Sequence, residues 1–380
     1  MRRAIKFVVS ILACHAAGFV GSIFTRLAIP AWYVTLNKPS FTPPNWLFFP
    51  VWTTLYTLMG ISAFLIWRKG LRENMSTTAR NIARAAAEPT LRGPTSFRLG
   101  SISVVVPVRD DGTRLCRLLG SIAGTLRRSE LLREVIVVDD GSNPPVNVST
   151  ASVQKSIAVN IIRESGRGPA TARNAGAAIA SGEWVLFLDS DCMTTETTIV
   201  GFERALDGSV AYAGNVRALG TDLLSRYYDT QQILIPPRDS RLRPRYLVTA
   251  NALVWLRAFR EVGGFDERFP CAGGEDIDLA YRLAQVGTLS FARESTVLHD
   301  FGGGLVGFWR RFIRYGRGNR LLAQHYRVNM RPRPFPPASD TPFNRLAATA
   351  QYWAMLWGYG LCEVGRITAS SGARSASADA

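Results

Sequence analysis

Trp184-Val185-Leu186-Phe187-Leu188-Asp189-Ser190-Asp191 carries five apolar residues into two carboxylates two positions apart. An unbroken apolar run of this length suits a strand buried on both faces, since a half-exposed strand would alternate. Five further runs of the same kind stand at 102–108, 134–139, 157–163, 210–214 and 248–255, with helical stretches between them. Strands alternating with helices predict an α/β fold, a mostly parallel sheet flanked by helices. In such sheets ligands bind beyond the carboxyl ends of the strands, so the residues just after each run are the informative ones.

Four of those ends are polar. Pro107-Val108-Arg109-Asp110-Asp111 closes the first run, Asp139-Asp140-Gly141-Ser142 the second, and Asp189-Ser190-Asp191 the fourth. The third leads through Gly166-Arg167-Gly168-Pro169 into a helix beginning Ala170-Thr171-Ala172-Arg173-Asn174. A turn after Leu188 would aim Asp189 and Asp191 at one pocket, as hard oxygen ligands for Mg²⁺ or Mn²⁺ carrying a diphosphate. Aspartates are also common in turns and helix caps, so the pair by itself fits a plain turn as well. Further on, Gly273-Gly274-Glu275-Asp276-Ile277-Asp278 sets three carboxylates at the start of a helix. There they either complement the helix dipole or supply a base that takes a hydroxyl proton. The helix amino terminus is expected to lower the pKa of Asp276 and keep it ionised at neutral pH.

His299, in Thr296-Val297-Leu298-His299-Asp300, precedes Gly302-Gly303-Gly304 and is either a metal ligand or structural. The stretch 307–324 predicts a helix with Phe308, Phe312 and Tyr315 on one side and Arg310, Arg314 and Arg317 on another. Arginines interleaved with aromatics suit a lipid headgroup surface or a substrate diphosphate, and a solvated basic face is the plainer alternative. The loop 236–245 is a second basic element.

From residue 101 to 318 these motifs, in this order, resemble family 2 glycosyltransferases of the GT-A fold, inverting enzymes that use nucleotide-diphosphate sugars. The resemblance implies that Asp140 contacts the nucleobase, that Pro107 and Arg109 line its pocket, and that Arg173 approaches the ribose or diphosphate. It further implies that Asp189 faces the ribose and that Asp191, with Asp189 and His299, holds a divalent Mn²⁺ or Mg²⁺. Glu275 would bind substrate, and Asp276, the second residue of the E-D motif, would activate a hydroxyl on a glycan or lipid-linked acceptor. The setting so implied is cell-envelope, exopolysaccharide or glycolipid synthesis. A nucleotidyltransferase shares paired aspartates, but would favour a Gly-rich loop with a lysine where this chain has Arg109-Asp110-Asp111-Gly112-Thr113-Arg114.

Around this core the chain has 380 residues, 47% hydrophobic and 19% charged, which excludes a disordered tail or a small disulfide scaffold. Its net charge of +16 suits anionic lipid or a phosphorylated substrate, and no nucleic-acid motif accompanies it. Cys14, Cys116, Cys192, Cys271 and Cys362 are scattered without a C-x-x-C pair, as in a reducing compartment. Apolar stretches at 5–24 and 47–67 predict two transmembrane helices. Arg2, Arg3 and Lys6 before them, with Arg68, Lys69 and Arg72 after, place both ends and the catalytic domain on the cytoplasmic face of the cell (inner) membrane. Ile11-Leu12-Ala13-Cys14 looks like a lipoprotein cleavage box, but the apolar run continues beyond it.

The Trp- and Pro-rich stretch 31–60, with Trp32, Trp46 and Trp52, resembles the start of the TspO/MBR family, five-helix membrane proteins that bind tetrapyrroles and sterols. Three further helices of that pattern do not follow, which favours a truncated two-helix anchor. The rival is a membrane sensor that binds tetrapyrrole and carries a non-catalytic nucleotide-binding domain. The expected organisation is a membrane segment at 1–70, a linker at 71–98 with a short helix near 78–87, and a catalytic domain at 99–330. The remainder, 331–380, would hold a membrane-associated helix at 346–364 and a disordered tail.

Overall fold

The computed structural model describes residues 98–125, 130–147, 157–334 and 336–361, together with Leu91, the helix Asn45–Arg68 and most of 7–19. The chain divides into two compact units, 1–83 and 84–380. The expected linker helix near 78–87, most of the Trp-rich loop before residue 45 and the tail after 361 lie outside the described residues.

In the first unit, α1 (Asn45–Arg68) packs against helical residues between 7 and 19. Gly60 lies against the Ile11 backbone, His15 Nε2 is 3.0 Å from Thr57 Oγ1, and Gly18 faces the Tyr56 ring. One number falls as the other rises, so the two segments are antiparallel. Among the described residues no helix is long and apolar enough to cross a membrane. The expected second span, 47–67, is helical throughout within α1, and the expected first span, 5–24, is described only in part. The hydroxyls of Thr54 and Thr57 donate back to the carbonyls of Pro50 and Thr53.

The second unit is built on one eight-stranded sheet. Its strands are β1 (Ile102–Val108), β2 (Leu132–Asp140), β3 (Val159–Glu164), β4 (Trp184–Phe187), β5 (Cys192–Thr194), β6 (Ala211–Ala218), β7 (Ala252–Trp255) and β8 (Leu289–His299), in the order β3-β2-β1-β4-β7-β6-β8-β5. The first four are mutually parallel, as expected. The other half is mixed, because β7 runs antiparallel to β4 and β6, and β5 antiparallel to β8. The sheet is therefore mixed rather than mostly parallel throughout.

Period-two alternation sorts side chains onto two faces. Val104, Val106, Val135 and Val137 join Leu115, Leu118, Leu119 and Ile122 of α2 (Gly112–Thr125) in one buried cluster. Val105, Ile136 and Val138 face the other way, onto Ala170, Ala172 and Ala177 of α3 (Pro169–Ile179). The small residues of α3 permit close approach, since a Cβ on Gly176 would press into Val105.

The D-S-D turn forces the sheet to curl. β5 lies four strands from β4 in hydrogen-bonding order, about 19 Å if the sheet were flat. Yet only four residues separate the two strands, and the turn is closed by Cys192 N–H donating to the Asp189 carbonyl at 3.0 Å. Curling brings the β8 and β5 end back over the carboxyl ends of β1, β2 and β4, where the polar residues lie.

The remaining helices are α4 (Thr197–Arg204), α5 (Leu223–Thr230), α6 (Leu256–Glu261), α7 (Glu275–Val286), α8 (Gly304–His325) and α9 (Pro342–Leu361). Gly318 of α8 sits so close to Gly273 that a Cβ there would run into the Gly273 carbonyl, which fixes α8 against the start of α7. The expected membrane-associated helix at 346–364 falls in α9. Its Ala347, Ala348, Gln351, Ala354 and Gly358 are buried, with Tyr227 donating to Gln351 Oε1 at 2.6 Å, while Leu346, Trp353, Trp357 and Leu361 are exposed.

Candidate active site

The loops after β1, β2 and β3 are stitched into one rim. Asp110, at φ 54, donates its N–H to Ser142 Oγ at 2.9 Å, and its Oδ1 accepts from Asn143 N–H at 2.9 Å. Asp139 accepts from the amides of Ser142 and Val146 and from Arg163. Burial pushes its carboxyl up, but those hydrogen bonds and the Arg163 charge outweigh it and hold the pKa low. Asp140 accepts the Gly168 N–H at 3.0 Å, and burial raises its pKa. Gly168 has φ 104, and a Cβ there would meet the Pro270 carbonyl at 2.5 Å, so glycine is required where the rim meets the chain leading to α7.

Pro107, half-buried, pairs with Val138 in the sheet just below this rim. Arg109 is exposed, 3.7 Å from Asp110 and 3.5 Å from the Gly166 carbonyl. The structure thus gathers Pro107, Arg109 and Asp140 at one loop cluster. Much of the Asp140 carboxylate is committed to Gly168, whereas the Arg109 guanidinium is largely open to solvent.

Arg173 joins the two acidic motifs. It is 2% exposed, and its Nη2 donates to Asp189 Oδ1 at 2.7 Å while Nη1 donates to Glu275 Oε1 at 3.0 Å. The Glu275 Oε2 accepts the Gly273 N–H, so the bracket also fixes the glycine pair that starts α7. Both Nη groups are spent on carboxylates. Arg173 thereby holds Asp189 and Glu275 to one cation.

Asp276, next to this bracket, has its Oδ1 accepting from Ile277 N–H at 2.9 Å. Its pKa is pushed up to about 7, first by desolvation and then by the Glu275 charge, with Arg173 opposing. The expectation of a lowered value fails because loss of water around the carboxyl outweighs the helix dipole. Asp276 is consequently poised near neutrality, a favourable position for a general base.

Asp191 and His299 meet across the β5–β8 ladder, in which Cys192 pairs with His299. His299 Nε2 lies 3.3 Å from Asp191 Oδ1, its Nδ1 is buried without a partner, and burial lowers its pKa, keeping the ring neutral. Burial raises Asp191, and His299 pulls the other way. Cys192 also borders this group, but its thiol is buried, raised well above its usual pKa and directed at the Ala250 carbonyl.

Several neighbours of the site gave no signal in the sequence. β5 is three residues long, and the apolar pattern of β8 is broken by Ser290, Arg293, Glu294 and Ser295. Phe301 stacks on both His299 and Tyr228, at 4.5 and 4.2 Å between ring centroids. Of the helix read as carrying Arg310, Arg314 and Arg317, Phe308 and Phe312 are indeed buried, and Arg310 and Arg317 are exposed. The basic loop 236–245 is folded on itself, with Asp239 accepting from the amides of Arg241 and Arg243.

Comparison with known proteins separates the same two regions. Residues 10–91 match the family model "TspO/MBR family", which carries that likeness into the stretch read as a linker. Residues 103–260 match "Glycosyl transferase family 2". A tryptophan-rich protein TspO from Archaeoglobus fulgidus is 53% identical over 66 residues, 17% of this chain and 43% of that protein. A pre-mycofactocin glycosyltransferase from Mycobacterium tuberculosis is 32% identical over 248 residues, 61% of this chain and 50% of that protein. The chain thus spans about half the length, or less, of these curated relatives. Among solved structures, a mannosyltransferase from Pyrobaculum calidifontis in complex with GDP-Man and Mn²⁺ aligns with TM-score 0.44 and 18% identity, over 74% of this chain and 80% of that one. Residues 10–91 are thus similar to the TspO/MBR family and residues 103–260 to glycosyl transferase family 2.

Proposed function

We propose that this protein is an inverting glycosyltransferase that moves a sugar from a nucleotide-diphosphate sugar to a hydroxyl acceptor in cell-envelope, exopolysaccharide or glycolipid synthesis. The observation that carries the reading is the Arg173 bracket, which ties the D-S-D turn to the E-D helix through Asp189 and Glu275. Asp191, two residues beyond Asp189, and Asp276, next to Glu275 and poised near pH 7, thus flank carboxylates that share one cation. Single displacement needs that pairing: one group to hold the departing diphosphate, another to take the acceptor proton on the opposite face of the sugar.

In this reading Pro107, Arg109 and Asp140 form the nucleoside end, and Asp189 with the 189–191 turn lies under the ribose and diphosphate. Asp276 takes the hydroxyl proton. The residues present fit a divalent metal: Asp191 offers a carboxylate oxygen and His299 a neutral imidazole nitrogen 3.3 Å away, with Asp189 adjacent. Cys192, held as a buried thiol, is excluded from the set. A Mn²⁺ or Mg²⁺ bound there would neutralise charge on the departing diphosphate. The TspO-like segment, together with exposed Trp353 and Trp357 on α9, supports a location at the membrane with lipid-linked acceptors. The orientation proposed is with the catalytic domain on the cytoplasmic side, where nucleotide sugars are made.

The test is to incubate the full-length protein, solubilised in detergent, with UDP-, GDP- and dTDP-sugars, Mn²⁺ and a membrane lipid extract. Release of a nucleoside diphosphate from one base class, accelerated by the extract, is the expected result. Release of nucleoside monophosphate and sugar phosphate, or of nothing from any donor, would contradict the proposal.

A further inference from the structure

Arg311 lies inside α8, one residue from the face where Arg310, Arg314 and Arg317 were expected to act. Its guanidinium stands over the rings of Phe301 and Tyr228, with its central carbon 4.9 and 5.6 Å from their centroids. Phe301 in turn stacks on His299, whose Nε2 faces Asp191. The cation is thereby carried on an aromatic stack that ends at the D-S-D turn, within electrostatic reach of Asp191. Among the described residues Arg311 forms no ion pair: the nearby Asp300 is taken by Arg114 and Arg117, and Asp191 lies against His299. The contacts of Arg311 are neutral, namely Tyr315, Tyr228 and the ring faces.

A half-buried guanidinium stacked on aromatic rings without a carboxylate partner is costly unless an anion completes it. The planar fork of arginine stacked on aromatic rings suits paired phosphate oxygens. Asp191 is already claimed as a metal ligand in the proposed site, so it does not serve as that partner when metal is bound. We infer that Arg311 binds the diphosphate oxygens of the donor and holds them after the sugar has left. The inference rests on the transferase reading and adds a second positive group, supplied by the protein itself, opposite the D-S-D turn.

The test compares affinities of the full-length protein for nucleoside diphosphate and monophosphate (UDP with UMP, GDP with GMP) in Mn²⁺, by calorimetry. Wild type should prefer the diphosphate. Arg311→Met should lose about tenfold or more of that preference while binding the monophosphate within about twofold of wild type. Arg310→Met, an exposed neighbour on the same helix, should retain the preference. Arg311→Lys keeps the charge and the stem but not the fork. It should lose part of the preference with an unchanged thermal midpoint, and serves if the methionine variant does not fold. Full retention of the preference in both Arg311 variants overturns the inference and leaves the transferase reading standing, as does an equal loss for mono- and diphosphate. Failure of wild type to bind any of the four nucleotides, or dTDP, would instead overturn the transferase reading, and this inference with it.

Discussion

Asp276→Asn is expected to lower turnover by about a thousandfold while leaving nucleotide affinity within about twofold, because the amide keeps the shape of the carboxylate but accepts no proton. The same assignment fixes the sign of the pH dependence. Asp276 must be ionised to act, and burial places its pKa at about 7. Activity should therefore be highest on the alkaline side and fall with decreasing pH below about 7, approaching tenfold per unit. In Asp276→Asn the residual rate should lose this limb. A variant as active as wild type, or one that keeps the limb at an unchanged midpoint, would remove Asp276 from the role of base.

Arg173→Met should cost about 3–5 kcal/mol of stability, since it leaves Asp189 and Glu275 without their shared cation. Glu275 is 2% exposed, so water cannot readily replace the guanidinium. Chemical denaturation monitored by intrinsic fluorescence measures the loss. The double variant Arg173→Met/Glu275→Gln should recover part of it, because the buried charge stranded by the single change is then neutral. A single variant within about 1 kcal/mol of wild type, or a double variant less stable than the single, would show that the bracket does not hold the two motifs together.

These two residues also mark where sequence reading succeeded and where it stopped. The D-S-D turn and the E-D cluster were visible because each follows a strong local signal, an apolar run in one case and a glycine pair before a helix in the other. Their connection was not visible: Arg173 stands 16 residues from Asp189 and 102 from Glu275, and no periodicity relates the three. β1 to β4, β6 and β7 were legible as apolar runs. β5 escaped notice because a three-residue strand has no pattern of its own and exists only through β8. The approach of His299 to Asp191 depends on that one register, so a resemblance could name the histidine but the spacing could not place it.

The Asp276 carboxyl shows the same limit in energetic form. Its position at a helix start is local and argues for a low pKa, whereas the desolvation that reverses the sign comes from packing. α8 repeats the lesson. Helical spacing separated Phe308 and Phe312 from the exposed Arg310 and Arg317, but Arg314 is half-buried, and so is Arg311, over Phe301 and Tyr228.

The central claim is that one metal-assisted diphosphate site is built around Asp191. Its most direct test is calorimetric titration of the solubilised full-length protein with UDP, GDP and dTDP, in Mn²⁺ and in chelator, alongside Asp191→Ala. The account predicts binding of one of these nucleotides that depends on the metal and disappears in the variant. Binding of equal strength in chelator, or in Asp191→Ala, would contradict it.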